Sequence, residues 1–265
     1  MTIEFDGRRY EQTSAHQREW GARLIQELGL RGDERILDVG CGDGTLTAKL
    51  AEAVQHGSVL GIDASKGMIE AACSKRKPNL SFQQLDVTMA EFVEEFGVVF
   101  SNATLHWVKD HRTLLPILHR ALRPSGVLRA NFAGEGNCAT LNRVAKELMA
   151  RSDFRAAFVG FEWPWYMPSI GDYTELVRHS PFGDADVWGE NADRYFPDVN
   201  AMLGWIDHPA IVPFKQHLDT QTAERFHKAV ADLMVEATKQ SDGTCFETFR
   251  RINVLARKQG TGGRV

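Results

Sequence analysis

Apolar and polar positions along the first half of the chain switch repeatedly between two periods. SAHQREWGARLIQELGL sets Trp20, Leu24, Ile25 and Leu28 at helical spacing and predicts an amphipathic opening helix. In RGDERILDV a polar turn runs into a continuous apolar stretch, the pattern of a strand buried on both faces. TLTAKLAEAV then reads as a helix and VLGIDA as a second strand. SKGMIEAACSKR is a second helix of this series, with Ser65 as its N-cap. LSFQQLDV and VVFSNA are a third and a fourth strand. HRTLLPILHRAL is predicted helical despite Pro116, and RPSGVLRANF is a turn leading into a fifth strand.

Strands alternating with helices of this length predict a parallel sheet with right-handed crossovers. Ligands of such sheets sit at the carboxyl ends of the strands, near the point where the strand order reverses. Those ends carry Asp38 and the glycines, then Asp63, Asp86, and Ser101 with Asn102. After strand five the pattern turns aromatic, with Phe158, Phe161, Trp163, Trp165 and Tyr166 close together. They can line an apolar pocket or pack a helical cap on the sheet. FPDVNAMLGWIDHPAIVPFKQHL and TAERFHKAVADLMVEATK read as further helices, and the tail GTGGRV reads as unstructured.

Composition narrows the class. The 265 residues are 43% hydrophobic and 25% charged, as in ordinary globular proteins. A net charge of -4 argues against nucleic acid or an anionic membrane surface as the main partner. MTIEFDGRRYEQ has no apolar h-region, and no run approaches the roughly 18 apolar residues of a bilayer span. Cys41, Cys73, Cys138 and Cys245 are scattered with no CxxC pair. They read as reduced thiols of a cytoplasmic protein, with no disulfide framework and no metal site.

The candidate chemistry starts at ILDVGCGDGT. Gly40, Gly42 and Gly44 follow a strand and open a helix, a turn that presents backbone N–H groups at a positive helix end. Asp63 ends the next strand roughly 20 residues on, where a ribose diol is held. The pattern therefore indicates an adenosine-type ligand. The spacing is GxGxG, not the dinucleotide GxGxxG, and Asp38 stands two residues before the first glycine. A carboxylate there repels a pyrophosphate and suits the ammonium of a methionine moiety. S-adenosylmethionine fits this better than a nicotinamide dinucleotide.

ILDVGCGDG, GIDAS, LDV and the RPSG turn together resemble the ordered motifs of class I S-adenosylmethionine-dependent methyltransferases, over residues 34–132. The resemblance implies a Rossmann-like α/β sheet, mostly parallel with an antiparallel last strand, helices on both faces and a helical cap over the acceptor. It implies that Asp38, Gly40, Cys41 and Gly42 hold the methionine part and that Asp63 holds both ribose hydroxyls. Ala64 and Met68 would lie against the adenine, Asp86 with Val87 would face its amino group, and Ser101 would join the donor site. Met68 as a core residue and Asp86 as an ordinary N-cap remain the alternatives. The implied organisation is an opening helix over 1–30, a donor-binding core over 31–133 and a cap with strand six over 134–243. A final strand over 244–258 and a tail over 259–265 complete it.

FSNATLHWVKDH lacks the Asn/Asp-Pro-Pro-aromatic motif of amide and base methyltransferases. It resembles the SNAxxxW segment of the trans-aconitate methyltransferase branch and the related juvenile-hormone-acid enzymes. YEQTSAHQ, with Tyr10, Ser14 and Gln17, and FETFRRINVLARK near the end resemble the same branch. Carried over, Gln17 and Trp107 would hold a substrate carboxyl. The implied reaction is methyl transfer from S-adenosylmethionine to a small molecule, an apolar acid among the candidates, at a carboxylate oxygen. A carboxylate with a pKa of roughly 4 is already ionised and needs orientation, not a base. Trp107 as a core aromatic and Gln17 as a solvated helix position stay open. His106 opens a second route, deprotonating a hydroxyl, phenol or carbon acid. A third reading is a non-catalytic S-adenosylmethionine-binding protein.

Overall fold

The computed structural model describes residues 3–7, 15–183 and 185–260, with the side chains of 15–17, 208 and 209 left aside. Helix α1 spans Ala15–Glu27 and is followed by β1 (Arg35–Val39), α2 (Thr45–Ala53), β2 (Ser58–Asp63) and α3 (Lys66–Ala72). Then come β3 (Leu80–Gln84), β4 (Phe96–Asn102), α4 (His111–Ala121), β5 (Leu122–Ala133), α5 (Ala139–Ala150) and α6 (Ile170–Arg178). The remainder is β6 (Ala185–Asn191), β7 (Arg194–Phe196), α7 (Val199–Trp205), α8 (Val212–His217), α9 (Thr220–Thr238), β8 (Cys245–Glu247) and β9 (Arg250–Arg257).

Seven strands form one sheet in the order β3-β2-β1-β4-β5-β9-β6. β1 pairs in parallel with β2 and β4, so the first strand lies inside the sheet, next to the central β4, and the strand order reverses between β1 and β4. β9 runs antiparallel to both β5 and β6, so the mostly parallel sheet with a reversed last strand is the observed arrangement. Helices cover both faces because side chains alternate along each strand. Leu37 and Val39 of β1 pack toward α4 and α6, through Leu114, Leu118, Tyr173 and Val177. Ile36 packs the other way, against Leu24 of α1, Leu50 of α2 and Ile69 of α3. Fully burying one such leucine contributes about 1.5–3 kcal/mol.

Two boundaries differ from the expectation. β3 stops at Gln84, and Asp86 instead caps a short 3-10 turn over Val87–Met89 through its bond from the Thr88 N–H at 2.9 Å. The RPSG turn is drawn into β5 with a shift of register against β4, and Ser125 takes φ 65. Pro116 does lie inside α4, where it forgoes one backbone bond in a helix anchored at Asp110 by two N–H donors.

A second hydrophobic cluster stands apart from the sheet and forms a cap. It joins Trp20 of α1, Leu141, Val144 and Leu148 of α5, Trp205 of α7, Phe214 of α8, and Phe226 and Val230 of α9. Phe154 and Phe158 are buried in this cluster, and Phe161, Trp163 and Trp165 pack against it. The two-stranded β7-β8 sheet closes its edge. Among the described residues no helix is long and apolar enough to cross a membrane. Tyr10, Ser14, the side chain of Gln17 and residues 261–265 of the tail lie outside the described residues.

Candidate active site

The glycine turn is built by backbone hydrogen bonds to the neighbouring strand. The N–H groups of Gly40 and Cys41 both donate to the Ile62 carbonyl, at 2.8 and 3.0 Å. The Gly42 N–H donates to Asp63 Oδ2 at 3.0 Å, and the Ser65 N–H donates to Asp63 Oδ1 at 2.9 Å. Asp63 thereby ties the turn after β1 to the entry of α3. The neighbours of the glycines also answer why they are glycines. Gly40 has φ +71, and a Cβ there would meet Thr104 Cγ2 at 2.0 Å. Gly44 has φ +79, and its Cβ would meet the Phe82 ring at 2.8 Å. At these two positions it is the protein's own side chains that come close.

The two acids of this turn sit in different surroundings. Asp38 is 2% exposed and faces α2, where Thr47 Oγ1 donates to its Oδ2 at 2.7 Å. Burial raises its pKa to about 7, against the Thr47 bond, with the charge of Asp63 adding to the rise. Burial likewise raises Asp63 to about 6, partly offset by its two backbone donors. The charge of Glu4 adds to that rise. Glu4 reaches over from the N-terminal segment, accepting from Ser65 Oγ at 2.8 Å and from the Gly67 N–H at 2.7 Å.

β4 delivers the facing wall. Ala103 leaves the strand at φ 56, a conformation that costs roughly 1–2 kcal/mol outside glycine, and its N–H is held by the Asn131 carbonyl at 2.7 Å. Thr104 Oγ1 donates to the Gly40 carbonyl at 3.1 Å, locking the two strand-end turns together. The following turn, Leu105–Trp107, is held from behind by His111. Its Nε2 is 2.9 Å from the Leu105 carbonyl and its Nδ1 is 2.9 Å from the Tyr173 hydroxyl. A carbonyl can only accept, so the proton sits on Nε2 and the tyrosine donates to Nδ1.

His106 is 8% exposed, and its buried Nδ1 has no hydrogen-bond partner. Burial, then the charge of Arg251 and that of His111, push its pKa well below the ordinary histidine value, so it is neutral at pH 7. The Trp107 ring lies edge-on to Phe5 at 5.4 Å and to Trp165 at 5.8 Å.

These walls enclose one cavity of about 320 Å³. Its lining includes Gly40, Gly42, Asp63, Ala64, Met68, Asp86 and Val87 on one side, together with His106 and Trp107. The other end reaches into the cap, at Trp20, Asn137, Leu141, Trp205, Phe249 and Arg251. Three residues expected at the donor site do not line it. The Asp38 carboxylate points to α2, because strand alternation sends it to the opposite side from Val39. Cys41 is buried in the cluster beneath the turn, where burial lifts its thiol pKa. Ser101 is fully buried between strands and donates to the Val39 carbonyl at 2.8 Å.

Arg251 is the residue that sequence reading passed over. FETFRRINVLARK carries it, but nothing in that string distinguishes it from its neighbour Arg250. In the fold it is 5% exposed. Its Nε and Nη2 donate to Asn131 Oδ1 at 2.8 and 2.6 Å. Asn131 Nδ2 passes the chain to Asn253 Oδ1 at 2.9 Å. Arg129 also donates to that oxygen, at 3.0 Å, and reaches Glu27 at 2.7 Å. The guanidinium carbon lies 4.7 Å over the Trp20 ring.

Residues 36–126 match a family model described as a methyltransferase domain. The chain is 32% identical to a trans-aconitate 2-methyltransferase of Deinococcus radiodurans over 199 residues, 72% of this chain and 75% of the relative. With the enzyme of that name from Rhodococcus jostii it shares 31% over 246 residues, 89% and 92% of the two chains. The chain belongs to the trans-aconitate methyltransferase branch of the class I S-adenosylmethionine-dependent methyltransferases. Its methyl donor is S-adenosylmethionine, and the glycine turn, Asp63 and the cavity between them are a cradle that fits that molecule. The fold is also that of the YcgJ protein of Bacillus subtilis, with a TM-score of 0.60 at 16% identity over 92% of this chain and 98% of the other.

Proposed function

We propose that this methyltransferase esterifies a small organic acid, moving the methyl group of S-adenosylmethionine to a carboxylate oxygen. The observation that carries the reading is Arg251, a buried guanidinium in the wall of the cavity that also contains the donor cradle. A guanidinium matches a carboxylate in charge and planar shape. The relatives' name, trans-aconitate 2-methyltransferase, is that of an enzyme acting on an acid.

In this reading Asp63 takes the ribose hydroxyls, Gly40 and Gly42 border the methionine part, and Ala64, Met68 and Val87 flank the adenine, with Asp86 toward its amino group. Asp38 acts indirectly, holding α2 and the turn together through Thr47. The bound donor supplies a methyl group made electrophilic by a sulfonium. The chain supplies orientation and dryness. Arg251 and Trp107 align the carboxylate, with Gln17 as a further carboxyl ligand, and the aromatic walls strip its water. No proton has to move, since the acid is already ionised at neutral pH. His106 is a weak base in its buried setting, which disfavours the hydroxyl and carbon routes.

Incubation with labelled donor and a panel of acids, phenols and alcohols tests the reading. A product whose label is released by mild alkali is a methyl ester; an ether or C-methyl product keeps it and would overturn the proposal. The rate of the single turnover is expected to be flat from about pH 6 to 9 and to survive His106→Ala. Arg251→Gln should lower kcat/KM for the acid thirtyfold or more, as removal of one partner of a buried charge pair costs about 2–5 kcal/mol. Affinity for S-adenosylhomocysteine should change little.

A further inference from the structure

His106 stands in the cavity wall beside Trp107, with ring centres 5.3 Å apart. Its backbone is fixed from two sides. The His106 carbonyl accepts from the Tyr166 N–H at 2.8 Å, and the preceding carbonyl, of Leu105, accepts from His111 Nε2 at 2.9 Å. The ring itself is unused. Neither of its nitrogens has a hydrogen-bond partner among the described residues. Nδ1 is shut away from solvent, and Nε2 is the nitrogen left open on the cavity. Buried polar side chains are nearly always bonded, and an idle one is costly unless a ligand completes it.

The sealed nitrogen decides where the proton sits. A neutral imidazole carries one N–H and one lone pair, and an imidazolium carries two N–H groups. A proton on Nδ1, in either form, would be a buried donor with nothing to receive it. Proteins orphan a buried N–H more rarely than a buried acceptor. A proton on Nε2 leaves only a lone pair in the sealed place and turns the N–H toward the cavity. Burial, then the charges of Arg251 and His111, also oppose a second proton. Resting on the carboxylate reading above, we infer that His106 is an acceptor-binding residue whose Nε2–H donates to a carboxylate oxygen of the bound acid. The histidine then orients the nucleophile and does not deprotonate it, because the nitrogen that meets the acid already carries its proton. A neutral donor suits this task. An imidazolium would hold the carboxylate more strongly and draw charge from the oxygen that has to attack the methyl group.

Nitrogen-15 NMR of the full chain, with labelled histidine and saturating S-adenosylhomocysteine, tests the tautomer. The signals that vanish in His106→Gln belong to His106, and they are expected to show a neutral ring with its proton on Nε2 from about pH 6 to 9. A protonated ring, or a proton on Nδ1, would overturn the inference and leave the carboxylate reading standing. Tryptophan fluorescence of the same complex is then titrated with trans-aconitate, 3-phenylpropanoate and the methyl esters of both. At least one free acid is expected to bind more tightly than its ester. His106→Leu should weaken that acid by about tenfold or more and leave its ester and S-adenosylhomocysteine unaffected. His106→Gln, whose amide N–H reaches near the place of Nε2, should recover most of the loss. The single-turnover rate at saturating acid should stay flat with pH in both variants. Equal affinity of the acid for the parent and His106→Leu would sink the inference alone. Esters binding as tightly as the acids would overturn the carboxylate reading as well, and neither acid binding the parent at millimolar concentration would count against both.

Discussion

The two ends of the cavity are made in different ways. The donor end is a backbone structure, drawn from two neighbouring strand ends: Gly40 and Cys41 bond to Ile62, and Gly42 and Ser65 bond to Asp63. The end proposed for the acceptor is a side-chain structure, collected from α1, α5, the segment before α6, α7 and β9. A backbone cradle tolerates almost any side chain that does not intrude, but no intrusion. A side-chain wall can be rewritten one residue at a time without disturbing the sheet. This is the division expected where one donor must be kept while acceptors diverge.

The difference can be broken hardest at Gly40. Gly40→Val places two methyl groups where Thr104 already sits and forces a β-branched residue to φ +71. Overpacking of this kind costs about 1–3 kcal/mol and the left-handed backbone about 1–2 kcal/mol more. Calorimetric titration with S-adenosylhomocysteine is expected to detect no binding, with circular dichroism still native. Normal binding would mean that the turn is not a rigid cradle.

Asp63→Ala is the next largest. It removes the acceptor for two backbone donors as well as the carboxylate proposed to hold the ribose. Bonds to a charged acceptor contribute about 1.5–3 kcal/mol each, so donor affinity should fall by tens to thousands of fold. An unchanged dissociation constant in a folded variant would remove Asp63 from the donor site.

Asp38 sharpens the comparison through pH. Its folded pKa of about 7 lies above the ordinary value of 3.8, so the folded state holds a proton that the unfolded chain gives up. That contribution is complete below about pH 4 and is lost as the pH rises toward 7. Asp38→Asn, which stays neutral, should match the parent near pH 4 and exceed it in stability at pH 8 by on the order of 2–4 kcal/mol. Denaturant melts at the two pH values measure the gap, and a gap independent of pH would count against the buried, protonated acid.

The smallest effect belongs to Ser101. Ser101→Ala deletes one strand-to-strand bond to Val39 and should cost about 0.5–1.5 kcal/mol in stability. Donor affinity is expected to stay within twofold. A large loss of affinity would return Ser101 to the donor site, from which its buried hydroxyl stands apart.

What could be read from the chain follows the same division. The parallel core and its helices were legible because apolar periodicity of 2 and 3.6 is a local property. The turn at Gly40, Gly42 and Gly44 and the acid at Asp63 were legible because a nucleoside cradle depends on residues in fixed order along a strand, a turn and the next strand. The inward burial of Cys41 and Ser101 was not, because which way a side chain faces depends on what the neighbouring strand or helix packs against it. Arg251 was invisible for the stronger reason that its role requires a sheet register. β9 must run antiparallel to β5 so that Asn131 pairs with Asn253 and reaches Arg251, 120 residues away. The sequence by itself determined the sheet, its turns and the donor. Tertiary packing alone decided that one arginine from the last strand would meet the tryptophans of the cap, because that meeting is a contact between segments with no common local pattern.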